Sequence, residues 1–340
     1  NGEKLNMKVA INGFGRIGKL VFRAFLEKKI KNIDIVAINE LGNLESSRHL
    51  LQYDSIHGKL PIKISKTKNG LKYNNKNIIF CSEGDPNKLP WKKMNIDVVL
   101  ECSGVFTSKE KAQAHINAGA KKVIISAPAS NVDATIVQGV NNKILNKKHS
   151  IISNGSCTTN CLAPVAMVLD KVIGIETGFM TTIHSFTGDQ RTVDQTHSDL
   201  RRARTASSSL IPTSTGAAKA LSLVLPQLEG KLDGTAIRVP TPNVSLIDFT
   251  FVSKKKTSIE AINNAMVAAS KSSNLKNILT VNNLPLVSID FNHNESSSIF
   301  DLTQTQVLNQ KFCRILSWYD NEWGFSNRMI DTLKDFKKLL

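Results

Sequence analysis

A chain of 340 residues with a formal net charge of +16, 41% hydrophobic and 21% charged, has the composition of a globular protein with room for two cores. No apolar run reaches the ~20 residues of a membrane helix, and five irregularly spaced cysteines exclude a disulfide framework, so a reducing, cytoplasmic setting is expected. The charge excess is mostly lysine, scattered as pairs and one triplet (Lys254 to Lys256); with 6% aromatic residues and no nucleic-acid motif, it reads as a solvated surface, with nucleic-acid or surface binding left as a secondary alternative.

Residues Asn1 to Asn6 are polar and read as a short extension, not a signal peptide. Lys8 to Asn12 has the apolar texture of a buried strand and runs straight into Gly13-Phe14-Gly15-Arg16-Ile17-Gly18, then an amphipathic helix from Lys19 to Glu27. This is GxGxxG between strand and helix, where glycines permit a tight turn and close approach of a pyrophosphate. A second strand, Asp34 to Asn39, ends in Glu40, about 20 residues beyond the fingerprint, where an acid would bond the adenosine ribose. A carboxylate there accepts from a 2′-hydroxyl and repels a 2′-phosphate, so NAD is expected over NADP. Short strands follow at 60–66, 71–73 and 78–80, then strands at 97–101, 122–126, 137–140 and 150–153, with a helix at 109–118. The alternation predicts a doubly wound parallel sheet with ligands at the strand C-termini.

The sheet delivers the chain to Ser153-Asn154-Gly155-Ser156-Cys157-Thr158-Thr159-Asn160-Cys161, which opens an apolar helix. A thiol at a helix N-terminus has its thiolate stabilised, and the same N–H groups can hold an oxyanion; a buried structural cysteine is the competing interpretation. Phe179 to His184 is strand-like and supplies a base in the same half of the chain. A stretch of low periodicity follows (185–209, with Arg191, Arg201, Arg202 and Arg204), and Thr213 to Ala218 is predicted to open a helix running to Leu225. Strands are predicted at 236–239, 244–252, 286–291 and 312–319, with helices at 259–270 and 322–340. This half is predicted to be an α+β domain with an antiparallel sheet. A nicotinamide cofactor beside a thiol implies thiohemiacetal formation with an aldehyde, hydride loss to a thioester, and cleavage by water, coenzyme A or phosphate. Arg204, Arg238 and Thr215-Gly216 favour an anion.

Ala10 to Gly18, Ser153 to Pro164, Thr182 to Ser185, Pro212 to Lys219, Arg238 to Val244 and Trp318 to Gly324 together resemble the phosphorylating glyceraldehyde-3-phosphate dehydrogenase family, in order and through both halves. The resemblance implies a Rossmann NAD-binding domain over 7–156, completed by a C-terminal helix at 322–340, and a catalytic domain over 157–321 with an S-shaped loop at 185–209. It implies that Cys157 is the nucleophile and His184 its base. Gly13, Gly15, Arg16, Ile17, Gly18, Glu40, Ser126 and Asn321 would contact the cofactor. Ser156, Thr158, Thr215 and Gly216, with Arg204 nearby, would line the inorganic-phosphate site, and Thr187 and Arg238 would hold the substrate phosphate. A homotetramer and no metal are implied. The sequence departs from the family at Glu40 (usually aspartate), Gly84 (an arginine near the adenine) and Gln195-Thr196 (a Leu-Pro pair that helps exclude NADP). Erythrose-4-phosphate dehydrogenase, of the same fold, is the alternative activity.

Overall fold

A computed structural model describes residues 6–340; the extension expected at the start of the chain lies almost wholly outside them. The chain divides into two compact units: one of residues up to Ile136, Lys143–Gly155 and Ser326–Leu340, and a second of Val137–Asn142 and Ser156–Phe325.

The first unit is built on a nine-stranded sheet. Its central strand, Met7–Asn12, pairs in parallel with Ile33–Asn39 on one side and Val98–Glu101 on the other. Parallel strands are covered on both faces, which is why Val98–Glu101 and Lys122–Ile125 are buried at every position. Register brings three polar residues into one row at the strand C-termini: Asn12 faces Asn39 on one neighbour and Glu101 on the other. The strand order reverses about this central strand, the place where a crevice opens in such sheets. Lys76–Cys81 extends the parallel array, and two antiparallel strands, Gly70–Tyr73 and Ser65–Thr67, close the edge. Strand is absent at residues 60–64 because the Gln52 side chain donates to the Leu60 carbonyl and accepts from Ile64 N, holding the segment away from a ladder. From Ser326 the terminal helix Trp323–Lys337 buries Met329, Ile330, Leu333 and Phe336 in this unit.

The second unit carries an eight-stranded sheet that is mixed, not purely antiparallel. Ile175–Ser185 runs parallel to Leu232–Val239 and antiparallel to Ser245–Ser253, which pairs antiparallel with Phe312–Tyr319. Helix Cys157–Val172 lays Leu162, Val165, Ala166 and Leu169 into a core shared with Ile247, Phe249, Phe251 and Ile315. It ends at Gly174, whose φ of +72° lets its N–H reach back to the Leu169 and Asp170 carbonyls.

Three expected elements differ. Residues 137–140 form a turn, held by Gly139 at φ +81° and by Asn side chains that accept from Val137 N and Gly139 N; Ala134–Thr135 takes the sheet position instead. The helix expected from Thr213 is strand Ile211–Ser214, paired antiparallel with Leu232–Val239 and alternately buried, followed by the 3-10 turn Lys219–Leu223. The strand expected at 286–291 is a 3-10 turn, Ser288–Phe291, closed by Asp290 accepting from Val287 N. Leu279–Asn282 and Ser298–Asp301 supply the sheet there.

Candidate active site

The dinucleotide fingerprint folds as its glycines require. Gly13 sits at φ +87°, and a Cβ there would lie 2.5 Å from the Ser103 backbone; one on Gly18 would lie 2.1 Å from the Gly13 carbonyl oxygen. Gly15 faces open space, so backbone can approach a ligand closely at that point. Helix Arg16–Glu27 begins immediately after. A cavity of about 350 Å³ lies at the strand ends, lined among others by Asn12, Gly13, Gly15, Glu40, Gly84 and Phe106. Glu40 is anchored in its wall: one oxygen accepts from Phe14 N at 2.7 Å and the other from Gly42 N at 3.0 Å. The cradle, the open Gly15 and the carboxylate fit an adenosine-bearing dinucleotide. Arg16 pairs with Asp54 at 2.6 Å, and Ser126 N donates to the Glu101 carbonyl at the next strand end. Ile17 lies in the first turn of the helix.

In the second unit, Cys157 is the first residue of its helix, and Ser156 is the N-cap, accepting from Thr159 N at 3.0 Å. His184 occupies the end of strand Ile175–Ser185, buried, with Nε2 3.5 Å from Cys157 Sγ. Parallel register sets Arg238 directly beside His184. Nδ1 of His184 lies 2.7 Å from both the Ser185 carbonyl oxygen and Arg238 Nη1. A proton on Nδ1 is donated to Ser185 and leaves the Nε2 lone pair facing sulfur; without it, Arg238 donates to Nδ1. Tyr319 closes the floor, its hydroxyl 2.8 Å from both Thr158 Oγ1 and Thr182 Oγ1 and its ring edge-on to His184.

Burial governs the charges of this couple. It pushes the Cys157 thiol up, against the pull of Arg238 and of the Thr158 hydroxyl and backbone N–H, and it presses His184 down to about 3, with Arg238 acting in the same direction. Burial thus favours the neutral form of each group. The helix N-terminus, Arg238 and the Thr158 hydroxyl favour the thiolate, and burial opposes them. Tyr319 is pushed up by burial as well.

The anion-binding residues are placed unevenly. Arg238 is half-buried, and its buried Nε has no hydrogen-bond partner. Thr187 is held in a turn by Gln190, which accepts from its N–H at 2.9 Å. Thr215 and Gly216 follow the strand Ile211–Ser214 and do not cap a helix; Thr215 Oγ1 accepts from Ala217 N, and Gly216 faces open space. The Thr158 hydroxyl is engaged by Tyr319. Arg204 is not brought to this group: it is 69% exposed and paired with the exposed Asp194. Arg202 is the loop arginine that reaches inward, donating to Thr213 Oγ1 and the Ser214 carbonyl and lying within electrostatic reach of Arg238. Four nearby arginines in one sequence stretch carry no signal that separates these two. Asn321 is buried, and its side-chain oxygen accepts from Ser185 Oγ and Ser245 Oγ, each at 2.9 Å. Among the described residues no cluster of metal-ligating side chains occurs, and no helix is long and apolar enough to cross a membrane.

A dinucleotide-type unit and a unit bearing a Cys–His couple beside a half-buried arginine define a class, the dehydrogenases that oxidise a carbonyl through an enzyme thiol. Family models described as the NAD-binding domain and the C-terminal domain of glyceraldehyde 3-phosphate dehydrogenase match residues 7–109 and 156–321. The chain is 56% identical to glyceraldehyde-3-phosphate dehydrogenase of Xanthobacter flavus, over 98% of this chain and 100% of that one. It is 54% identical to that of Zymomonas mobilis subsp. mobilis (98% and 99%) and 52% identical to that of Geobacillus stearothermophilus (96% and 96%). The chain belongs to the glyceraldehyde-3-phosphate dehydrogenase family.

Proposed function

We propose that this protein oxidises glyceraldehyde 3-phosphate with NAD and couples the oxidation to inorganic phosphate, yielding 1,3-bisphosphoglycerate in glycolysis and gluconeogenesis. The observation that carries the proposal is the 3.5 Å approach of Cys157 Sγ to His184 Nε2 with Arg238 beside the ring. Cys157 Sγ adds to the aldehyde carbon as its proton passes to Nε2, in the tautomer whose Nδ1–H is donated to Ser185. The carbonyl oxygen takes that proton back from Nε2, giving a thiohemiacetal on Cys157, and Nε2 removes it again as hydride leaves the carbon. NAD, when bound, supplies the hydride acceptor that takes this adduct to a thioester. A phosphate oxygen then attacks the thioester carbonyl, releasing the acyl phosphate and the Cys157 sulfur, which recovers its proton from His184.

Arg238, with an unpartnered buried Nε, and Thr187 would hold the substrate phosphate; Arg202, Ser156, Thr215 and Gly216 would serve the inorganic phosphate. With its oxygen engaged by two hydroxyls, Asn321 offers N–H donors that suit the carboxamide oxygen of nicotinamide. Gly13, Gly15, Gly18 and Glu40 would hold the rest of the cofactor, with Arg16, Ile17 and Ser126 at the same edge. Exposed Val193 and Leu200 on the 185–209 loop, with Leu210 just beyond it, favour a subunit contact and hence a homotetramer. Five free cysteines suit a reducing cytoplasm.

The test is NADH formation from glyceraldehyde 3-phosphate with and without inorganic phosphate, alongside erythrose 4-phosphate and NADP. Strict phosphate dependence with NAD supports the proposal. Faster turnover of erythrose 4-phosphate without phosphate would replace it with the alternative activity.

A further inference from the structure

Beneath the dinucleotide cavity runs a buried polar chain that the reaction chemistry does not use. Trp91 Nε1 donates to His115 Nδ1 at 3.1 Å, and His115 Nε2 meets Glu101 Oε2 at 2.7 Å. Trp91, His115 and Glu101 are each at most 1% exposed. An indole N–H can only donate, so it places the imidazole proton on Nε2, pointing at the carboxylate. Glu101 accepts in addition from Asn12 Nδ2 at 2.6 Å, from Ser103 N at 2.8 Å and from Ser103 Oγ. The Asn12 side-chain oxygen accepts from Asn39 at 2.7 Å, and Asn39 exchanges two hydrogen bonds, both 2.9 Å, with the backbone of Glu83. His115 also meets the Phe106 ring edge-on at 6.1 Å.

The far end of this chain is packed core; the near end is the cavity wall. Asn12, Asn39, Glu83, Ser103 and Phe106 line the cavity, whereas Trp91, His115 and Glu101 do not. Ser103 is also the residue against which Gly13 makes its turn. One carboxylate thus ties together the ends of three parallel strands and the loop below the fingerprint.

We propose that Trp91, His115 and Glu101 are positioning residues for the cofactor: they never touch it, and they hold the cavity wall in its binding register. This rests on the reading of that cavity as the NAD site. Cofactor affinity depends on the relay; the chemistry at Cys157 does not. Replacing Glu101 by glutamine substitutes an N–H donor for an acceptor among groups that already donate. Replacing Trp91 by phenylalanine keeps an aromatic side chain, smaller than indole, and removes the donor that sets the His115 tautomer.

The experiment measures the Kd for NAD by calorimetry on the folded full chain, kcat at saturating NAD, KM for glyceraldehyde 3-phosphate, and thermal stability. Glu101→Gln is expected to raise the Kd about tenfold or more, the scale of leaving buried donors unpaired. Trp91→Phe is expected to raise it about threefold, since a single neutral hydrogen bond is lost. Both should leave kcat and the aldehyde KM within about twofold. If Glu101→Gln fails to fold, Trp91→Phe decides alone. A lowered melting temperature with an unchanged Kd would make the relay merely structural and overturn the proposal, as would a fall in kcat at unchanged Kd. Absence of NAD binding in the unmodified protein would instead overturn the reading of the cavity.

Discussion

The two units build their sites by different means. In the first, the fingerprint itself forms within one local stretch, Gly13 to Gly18, where a turn and a helix start follow a strand directly, and neighbouring strand ends complete the cavity wall. In the second, Cys157 and His184 are 27 residues apart, His184 and Arg238 are 54 apart, and Thr158 meets Tyr319 across 161. The first kind of site is specified by what glycine permits the backbone to do. The second is specified by sheet register, because a one-residue slip of Leu232–Val239 would turn Arg238 to the opposite face of the sheet from His184. The polarity of the sites differs accordingly. The nucleotide unit presents an anchored carboxylate, Glu40; the catalytic unit sets a thiol and an imidazole beside a guanidinium.

If that division holds, changes in the second unit alter rate and changes in the first alter cofactor choice. The largest effect is expected from Cys157→Ser, which should lower kcat about 10⁴-fold or more, as loss of a nucleophile does, while the Kd for NAD stays put. A parallel loss of NAD affinity would break the division. His184→Asn comes next, with kcat/KM down by about 10²- to 10⁴-fold and slower alkylation of Cys157 by iodoacetamide.

His184 also carries a stability signature. Its folded pKa of about 3 lies below the ordinary 6.5. Between those values the unfolded chain takes up a proton that the folded chain refuses, so stability falls as pH drops from 6.5 toward 3 and is unaffected by this group above 6.5. Urea denaturation near pH 7 and pH 5 should show a shallower acid loss in His184→Asn than in the parent; an equal loss would mean the ring charges freely when folded.

Glu40→Gln is expected to shift the ratio of kcat/KM for NAD over NADP toward NADP by about tenfold, on the order of a charge-assisted hydrogen bond, with maximal rate retained. An unchanged ratio would assign cofactor choice elsewhere, with the Gln195-Thr196 pair the next place to look. The smallest effect is expected from Tyr319→Phe. Thr158 and Thr182 would lose a shared partner, costing about 1 to 2 kcal/mol of stability, with a modest change in rate because the ring against His184 remains. A loss as large as that of His184→Asn would make the Tyr319 hydroxyl part of the proton path.

What could be read from residues alone was whatever rests on local chemistry. GxGxxG between a strand and a helix, Glu40 at the next strand end, and a cysteine behind an N-capping serine each state their conformation within a dozen residues, and the structure has them as expected. The sequence failed where neighbours in space decide. Thr213 to Ala218 carries hydroxyls and a glycine suited to a helix start, yet pairing with Leu232–Val239 makes its beginning a strand. Residues 137–140 have a strand composition, yet asparagine side chains capture their N–H groups. Choosing Arg202 over Arg204 needed the fold of the loop, since the two differ only in what surrounds them.

Cys157 shows the division most plainly. Sequence by itself determined that a thiol stands at a helix N-terminus with a histidine available in the same half of the chain. Tertiary structure alone decided the burial and the Arg238 neighbour that act on the charges of this thiol and imidazole, because desolvation is a property of everything packed around a group and not of its place in the chain. The same holds for the buried Trp91–His115–Glu101 chain. Its members are three ordinary residues in sequence, and only the alignment of parallel strands makes them one device.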